Sequence, residues 1–497
     1  MARYIIGIDQ STQGTKALLV DETGHLVARV DAAHKQIVNE AGWVSHDPAE
    51  IAANVVTVAK AVLVKAGVLP ADVAGIGISN QRETTVAWDA STGRPLCDAI
   101  VWQCARAQGV CAAVAAQPGA AELVRARTGL ALSPYYPASK MAWILANVPA
   151  ATSVAKRGDL RLGTIDSWVV WSLTGGAEFR CDYSNASRTQ LFDVQDLRWS
   201  EEVCALFGVD PAWLPEVTDS DGLYGETDLG GLLPQPVPIH GVLGDSHAAR
   251  FAQGCLERGM AKATMGTGSS VMMNVGPEFV ASTCGLSSSL AWRMGGETDY
   301  VLEGNINYAG AVTTWLKDDL KLIKRPGEVS ALCYEANPAS HVYLVPAFTG
   351  LGAPHWCSDA EAAVFGMTRT TGKAEFVRAT DECIDYQIYD VIDAMERDSG
   401  LMLAELRVDG GPTRDGFLMQ FLSDLVQTSI RVASNDEMSG LGAAWCCGIA
   451  LGLYGREVVD TYGARAVVDP QMDAGERAAR IAGWRKAVAA VIAYAEA

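Results

Sequence analysis

Alternating apolar and polar positions at the start of the chain predict a β-meander. Apolar runs at 4–8, 17–20 and 26–30 are separated by polar stretches at 9–16 and 21–24. Short apolar runs bounded by polar and glycine residues are typical of strands that are joined by turns. The first of the two turns is predicted to be long and rich in hydroxyl groups.

The same pattern returns about halfway along the chain. Strand-like runs at 262–265 and 271–275 flank a glycine-rich turn at 266–270. Two such units suggest an internal duplication, with one unit opening each half of the chain. We therefore predict two domains, residues 1–250 and residues 251–497.

Between and after the meanders, helical and strand patterns alternate. Apolar residues at helical spacing predict a helix over 48–63 behind Asp47 as its N-cap, followed by a strand at 73–79. A second helix is predicted over 376–395, before a strand at 406–408. Strands that alternate with helices in this way indicate an α/β architecture.

Composition and charge exclude several classes of function. The chain has 497 residues, of which 49% are hydrophobic and 20% charged, as in an ordinary globular enzyme. The net charge of −19 argues against binding to nucleic acid or to an anionic membrane, because both require a basic face. The stretch 439–455 is shorter than the ~20 apolar residues of a membrane span, so we expect a buried helix there.

The cysteines and the N-terminus point to one compartment. The 12 cysteines form no Cys-x-x-Cys pair, which is typical of reduced thiols. An acidic residue at position 9 interrupts the apolar start before a signal sequence could form. We expect a cytoplasmic protein.

Two turns are suited to hold phosphate groups. The turn 9–16 carries hydroxyls, a glycine and Lys16, and the turn in the second half reads Gly266-Thr267-Gly268-Ser269. Backbone N–H groups of such turns wrap phosphates, and Asp9 is placed to hold Mg²⁺ through water. Each turn alone is equally consistent with an ordinary hairpin. One matching turn in each half favours a clamp around a nucleotide.

Two further segments offer binding groups. Arg82 and Glu83 end a predicted strand and supply donors and acceptors for a vicinal diol, although a solvated surface ion pair is the alternative. Trp102 is suited to pack against the C–H face of a sugar, or is a core residue. The segment 407–412, before a predicted helix at 417–426, suits a nucleotide base or a tight strand–helix connection.

Asp245 is the candidate for acid–base chemistry. It follows a predicted strand and precedes a helical run at 246–253. A carboxylate at a helix N-terminus is kept ionised by the helix dipole, and it is equally typical of a helix cap. Local sequence leaves both interpretations open.

Taken in order, these segments resemble the FGGY carbohydrate kinase family and, within it, most closely the glycerol kinases. The resemblance extends from Gly7 to about Tyr454. It is carried by Gly42-Trp43-Val44-Ser45-His46-Asp47-Pro48, Asn80-Gln81-Arg82-Glu83-Thr84-Thr85, Ile100-Val101-Trp102-Gln103-Cys104, Asp182-Tyr183-Ser184-Asn185-Ala186-Ser187-Arg188-Thr189, Gly350-Leu351-Gly352-Ala353-Pro354-His355-Trp356 and Phe421-Leu422-Ser423-Asp424.

The resemblance implies two ribonuclease-H-like (actin-like ATPase) domains with the active site in the cleft between them. It implies Asp245 as the catalytic base and Asp9 near a Mg²⁺ ion. The implied acceptor pocket contains Arg82, Glu83, Trp102, Tyr135, Asp245, Ser246 and Ser270. The implied contacts to ATP come from Thr12, Gln13, Lys16, Gly266, Thr267, Gly310, Thr314, Gly411 and Asp415.

The chain departs from the glycerol kinase pattern on the acceptor side. Ser11 replaces a glycine in the first turn, and Gly14 with Lys16 is closer to xylulose and gluconate kinases. Ser246 replaces a glutamine and Ser270 a phenylalanine, changes that enlarge the pocket and make it more polar. They favour a ketose such as xylulose or ribulose, or a longer polyol such as erythritol, as alternatives to glycerol.

Departures also occur at the regulatory and nucleotide positions. Pro236 replaces an arginine near the loop where some glycerol kinases bind fructose bisphosphate, so we do not expect that regulation. Asp415 and Thr314 replace the usual asparagine and glutamine near the adenine, which would alter contacts to the base.

The function expected from the resemblance is in-line transfer of the γ-phosphoryl group of Mg·ATP to a hydroxyl of a small polyol or sugar. Asp245 would accept the proton, and Lys16 would steady the transferring group. An actin-like ATPase without sugar kinase activity is the alternative of another class. The expected partners are a small-molecule acceptor and ATP, without nucleic acid or membrane. Homodimer formation is left open, as are the acceptor and the carbon phosphorylated.

Overall fold

Both predicted meanders are present, and their strands are longer than predicted. The computed structural model describes residues 3–497. In the first meander Asp9 pairs with Lys16 and Gln10 with Thr15, so the strands continue almost to the hairpin tip. The prediction of a turn over 9–16 is therefore wrong in length. Polar side chains do not end a strand, because the ladder hydrogen bonds run between main chains.

The strands of the first half are β1 (Tyr4–Gln10), β2 (Gly14–Val20), β3 (Leu26–Ala33), β4 (Ile37–Val38), β5 (Val44–His46), β6 (Val73–Asn80), β7 (Thr85–Asp89), β8 (Arg94–Pro95), β9 (Ala99–Ile100), β10 (Leu160–Thr164), β11 (Arg180–Asp182), β12 (Phe192–Asp193), β13 (Arg198–Trp199), β14 (Glu216–Thr218), β15 (Glu226–Thr227) and β16 (Val237–Gly244). Those of the second half are β17 (Met260–Met265), β18 (Ser269–Gly276), β19 (Ser287–Met294), β20 (Glu297–Ile306), β21 (Tyr343–Val345), β22 (Ala363–Phe365), β23 (Glu405–Gly410), β24 (Ile430–Ala433) and β25 (Ala464–Val468).

The helices are α1 (Pro48–Ala66), α2 (Gln108–Ala115), α3 (Ala120–Thr128), α4 (Pro137–Asn147), α5 (Pro149–Lys156), α6 (Ile165–Leu173), α7 (Tyr183–Ala186), α8 (Glu201–Phe207), α9 (Asp245–Ala252), α10 (Gly310–Asp318), α11 (Val329–Glu335), α12 (Lys373–Ser399), α13 (Gly416–Val426), α14 (Met438–Ala450) and α15 (Ala474–Ala495). Asp47 caps α1 as predicted, because its side chain accepts the N–H of Ala49.

The main sheets of the two halves share one topology. Their strand orders are β15-β16-β6-β1-β2-β3 and β19-β20-β18-β17-β23-β24-β25. In the first sheet, β1, β2 and β3 are antiparallel, and β6 and β16 continue in parallel. In the second, β17, β18 and β20 are antiparallel, and β23 and β24 continue in parallel. The repeated order agrees with an internal duplication.

Helix α14 of the second half packs on the sheet of the first half. It contacts β1, β6, β16 and α9. Glycines permit the close approach: a Cβ at Gly77 would lie 2.2 Å from the Ala443 carbonyl oxygen, and one at Gly7 would lie 2.5 Å from that of Gly440. This is the buried helix predicted within 439–455. Helix α14 therefore joins the two halves. Its first turn lies beside the hairpin of β1 and β2.

All 12 cysteines are free thiols. Among residues 3–497, the helices are too short or too polar to cross a membrane. One large apolar core surrounds β1, β6 and α1, and another surrounds β17, β18 and α12 and also includes residues between 181 and 194 of the first half.

Candidate active site

Asp245 lies where β16 ends and α9 begins. Gly244 occupies the N-cap position, so Asp245 is the first residue of the helix and not its cap. Its carboxylate accepts the Ser246 N–H at 2.6 Å and lies 3.4 Å from Arg82 Nε, with 35% of the side chain exposed. The surrounding protein raises the pKa of Asp245, and the charge of Arg82 opposes that shift. A part-exposed carboxylate is thus presented at the junction of β16 and α9.

Arg82 is held in a buried network of charges. Its Nη2 and Nη1 donate to Oε1 and Oε2 of Glu303 at 2.7 and 3.1 Å. Arg188 lies 2.8 Å from Glu303 Oε2 and donates from Nε to Glu83 Oε1 at 2.7 Å. The exposed fractions of the two predicted residues, Arg82 and Glu83, are 5% and 2%. The alternative of a solvated surface ion pair is therefore wrong.

Glu303 links the two halves of the molecule. It belongs to β20 of the second half, whereas both arginines belong to the first. Burial alone would raise the pKa of Glu303, but the charges of Arg188 and Arg82 hold it well below its ordinary value. Ser270 on β18 donates its hydroxyl to Glu303 Oε1 at 3.0 Å. Ser270 therefore lies beside Arg82, as the resemblance implied, while Glu303 itself was missed.

A buried lysine contacts the main chains of two residues of the implied acceptor pocket. Lys140 on α4 donates from Nζ to the carbonyl of Glu83 at 3.2 Å and also to that of Tyr135. Glu83 has a left-handed backbone with φ of 60°, which is uncommon for a side chain of this size. Burial lowers the pKa of Lys140 to about 7. Lys140 thus holds two implied pocket residues through their main chains.

Two aromatic side chains of the implied acceptor pocket pack against each other. The centroids of Trp102 and Tyr135 are 5.6 Å apart, with the rings edge to face. Trp102 is half-buried and donates its indole N–H to the Thr12 hydroxyl at 3.0 Å. It is therefore not a simple core residue. Gln13 beside Thr12 is exposed at the hairpin tip.

Lys16 lies among carboxylates. Its Nζ is 3.0 Å from Glu437, the residue that precedes α14, and 3.5 Å from Asp9 Oδ2. Asp9 Oδ1 also accepts the Ser79 hydroxyl at 3.2 Å. Burial raises the pKa of Asp9, and the charge of Lys16 opposes the shift. The resemblance implies Lys16 as a phosphate contact and Asp9 as the carboxylate near the metal. In the structure, Lys16 offsets the charge of Asp9.

The residues around Asp9 fit a water-held Mg²⁺. Among residues 3–497, the side chains of His, Cys, Asp and Glu form no group of three or more that could enclose a metal ion. Mg²⁺ in kinases is bound by one or two carboxylates together with water and phosphate oxygens, and it keeps much of its hydration shell. One carboxylate at the end of β1 meets that requirement.

The implied nucleotide residues line two adjoining cavities. One, of about 510 Å³, is lined by Thr314, Asp415 and other residues of the second half. The other is lined by Gly266 and Thr267, and both cavities share Gly310, Thr314, Gly411 and Pro412. The turn at 266–267 is fixed because the Gly310 N–H donates to the Gly266 carbonyl at 2.9 Å. Glycine backbone thus lies at the boundary between the space assigned to the phosphates and the space assigned to the base.

Asp415 has a structural contact as well as a place in the cavity of about 510 Å³. Its Oδ1 accepts the N–H groups of Phe417 and Leu418 at 2.9 and 3.2 Å, which caps α13. Asp381 on α12 lines the same cavity and had no signal in the sequence. Lys262 and Asp409, which are bridged by the Thr264 hydroxyl at the end of β17, were also missed.

Comparisons with known proteins agree with this geometry. The model of the FGGY family of carbohydrate kinases, N-terminal domain, matches residues 4–252, and that of its C-terminal domain matches residues 261–451. The chain belongs to the FGGY family of carbohydrate kinases. The prediction of an ATP-dependent carbohydrate or polyol kinase is confirmed.

The similarity extends over whole chains. A glycerol kinase of Stenotrophomonas maltophilia is 42% identical, with 99% of each chain covered. One of Symbiobacterium thermophilum is 44% identical over 98% of this chain and 97% of that protein. The structure of Plasmodium falciparum glycerol kinase with ADP superposes with a TM-score of 0.92 at 34% identity, covering 98% of each chain. A Lactobacillus acidophilus xylulose kinase, 22% identical and covering 99% of each chain, shares the fold with a TM-score of 0.88. The predicted actin-like fold of this FGGY kinase is confirmed.

Proposed function

We propose that this FGGY kinase transfers the γ-phosphoryl group of ATP to a primary hydroxyl of a polyol bound against Arg82, Glu83, Trp102 and Tyr135. The observation that carries the proposal is the placement of Asp245. Its part-exposed carboxylate lies 3.4 Å from an arginine whose other side is fixed by Glu303. An acceptor held by that arginine would present its hydroxyl to the carboxylate.

Asp245 acts as the base that accepts the hydroxyl proton. A general base must be ionised before transfer and must lie within hydrogen-bond reach of the proton. The charge of Arg82 supports the ionised form against the surrounding protein. In-line transfer then depends on positioning and on stabilisation of charge, with little covalent chemistry from the protein.

The phosphates occupy the cleft between the hairpin of β1 and β2 and the turn at 266–267. Asp9 would hold Mg²⁺ through water, and the ion when bound neutralises charge on the phosphate oxygens. Lys16 keeps Asp9 and Glu437 partly neutralised at distances of 3.5 and 3.0 Å. On the opposite side, the turn that the Gly310 N–H fixes through the Gly266 carbonyl would offer the N–H groups of Thr267 and Gly268 to the phosphates.

Glycerol is the first acceptor to test, because several similar proteins are named glycerol kinases. A four-carbon polyol such as erythritol, or a ketose such as xylulose or ribulose, is the second candidate. It is favoured by Ser270 and Ser246, which leave room where larger side chains were expected.

The proposal also covers the domain boundaries, the cellular location and the oligomeric state. We assign acceptor binding and the base to residues 1–250, and nucleotide binding to residues 251–497. Ser270 and Glu303 reach the acceptor pocket from the second half, which supports a site that is completed between the domains. A cytoplasmic location and a homodimer remain predictions.

Substitution Asp245→Asn tests the assignment of the base. We expect kcat to fall by about a thousandfold or more, while ADP binding and the unfolding midpoint stay near those of the unchanged protein. Steady-state ADP release with saturating acceptor gives kcat, and calorimetric titration gives ADP affinity. The exposed Asp228→Asn serves as the matched control. Turnover of Asp245→Asn close to that of this control would remove Asp245 from the catalytic role.

A further inference from the structure

The cavity assigned to the nucleotide base is lined by a buried carboxyl group that phosphate binding does not explain. Apolar walls come from Ile384 and Leu418, a surface suited to a flat ring. The same cavity is lined by Asp381 of α12, which is only 3% exposed. A carboxyl group on an apolar wall is costly unless it has a partner.

Asp381 lacks a strong partner within residues 3–497. The Cys333 thiol donates to its Oδ2 over 3.9 Å, a long and weak contact. One helical turn further, both oxygens of the fully buried Asp385 have no hydrogen-bond partner among the described residues. A purine base entering the cavity would bring the donors and acceptors that Asp381 lacks.

We propose that Asp381 selects the base of the phosphoryl donor through its protonation state. This inference rests on the proposed function, because it requires the cavity to hold a nucleotide. As a neutral acid, Asp381 can donate its O–H to adenine N1 and accept a hydrogen from adenine N6. As a carboxylate it can only accept, which matches the N1–H and N2–H groups of guanine. The acid form favours ATP, and the carboxylate form favours GTP.

The surroundings of Asp381 favour its acid form. Burial raises the pKa of Asp381 well above its ordinary value, and the carboxyls of Asp415 and Glu382 raise it further. Burial likewise raises the pKa of the neighbouring Asp385 carboxyl and that of the Cys333 thiol on α11.

The nearby cations are engaged elsewhere. Arg378 on the same helix donates to Glu382 Oε1 at 2.6 Å, and Arg480 on α15 donates to the same oxygen at 3.3 Å. Both arginines are therefore paired with Glu382, and they do not neutralise Asp381 itself. Discrimination between adenine and guanine should consequently weaken as pH rises.

The test measures binding of ADP and of GDP to the full chain without acceptor, by calorimetric titration at pH 6.5 and 8.5. Phosphate ionisation affects both nucleotides alike, so the ratio of their Kd values isolates the base. In the unchanged protein we expect ADP to be preferred at pH 6.5, and the preference to fall at least threefold at pH 8.5. Asp381→Asn should keep a preference for ADP that does not change with pH, because an amide donates and accepts without ionising.

Two further variants complete the test. Asp381→Leu fills the site with an apolar side chain and should bind both nucleotides with a Kd ratio near one. Asp393→Asn, on the same helix but paired with Arg397 and Arg485, is the matched control and should behave as the unchanged protein. A pH-independent Kd ratio in the unchanged protein, or an unchanged ratio in Asp381→Leu, would overturn the inference. Failure to bind either nucleotide would overturn the proposed function as well.

Discussion

The residues proposed to bind the acceptor and those proposed to bind the nucleotide differ in how their charged groups are paired. On the acceptor side, Arg82, Arg188, Glu83 and Glu303 pair their charges in a buried network within the protein. On the nucleotide side, glycine backbone separates two cavities, and Asp381 lies on an apolar wall without a strong partner. The first region is preorganised, and the second leaves hydrogen-bonding capacity for its ligand. Changes in the first should therefore affect folding and acceptor choice, and changes in the second should affect nucleotide choice.

Glu303→Gln tests the buried charge pairs of the acceptor side, where we expect the largest effect. The substitution leaves Arg82 and Arg188 with Glu83 as their one remaining buried carboxylate, beside the part-exposed Asp245, and an uncompensated buried charge costs about 3–5 kcal/mol. We expect a loss of that order in the free energy of unfolding, measured by urea denaturation. ADP affinity should change little, because the nucleotide cavities do not include this residue. The exposed Glu297→Gln on the same strand is the control. Equal unfolding midpoints in the two variants would show that the network is not coupled to stability.

Lys140→Met tests the acceptor side through the pH dependence of folding stability. The pKa of Lys140 is lowered to about 7 in the folded protein, from 10.5. Between these values the unfolded chain binds a proton that the folded chain does not, so the stability of the unchanged protein rises with pH. From pH 7 to pH 9, the unchanged protein should gain on the order of 2–3 kcal/mol relative to Lys140→Met.

Urea denaturation at both pH values measures this gain, and the exposed Lys156→Met provides the control without it. If the difference between the unchanged protein and Lys140→Met is the same at pH 7 and pH 9, the lysine is charged in the fold. The conclusion that burial lowers the pKa of Lys140 would then be wrong.

Ser270→Phe tests how the acceptor side chooses its ligand. An aromatic ring beside Glu303 reduces the space for a longer chain, and discrimination by one carbon unit in a pocket amounts to about tenfold. We expect the ratio of kcat/KM for glycerol over erythritol to rise by roughly that factor. Ser270→Ala removes the hydroxyl contact to Glu303 without filling the space. A ratio that moves equally in both variants would show that volume at this position is not what matters.

The sequence predicts local structure well and tertiary pairing poorly. The meanders, the Asp47 cap and the helix ending near Met395 follow from patterns within a few residues of each other. Glu303 was missed because its meaning depends on Arg82, 221 positions earlier in the chain. An acidic residue inside the apolar strand β20 was the available signal, since such a residue needs a buried partner. Asp381 was missed for the same reason, because helical periodicity does not show which cavity a face lines.

Acceptor-dependent ADP release is the most direct test of the central claim that this chain is a polyol kinase with a preorganised acceptor pocket. The purified full chain is given Mg·ATP alone and then with glycerol, erythritol, xylulose, ribulose or gluconate, and ADP is followed by a coupled assay. The account predicts negligible release without acceptor and a large increase with at least one polyol or ketose. Release at the same rate with and without every acceptor would contradict it, and would indicate an ATPase built on the same fold.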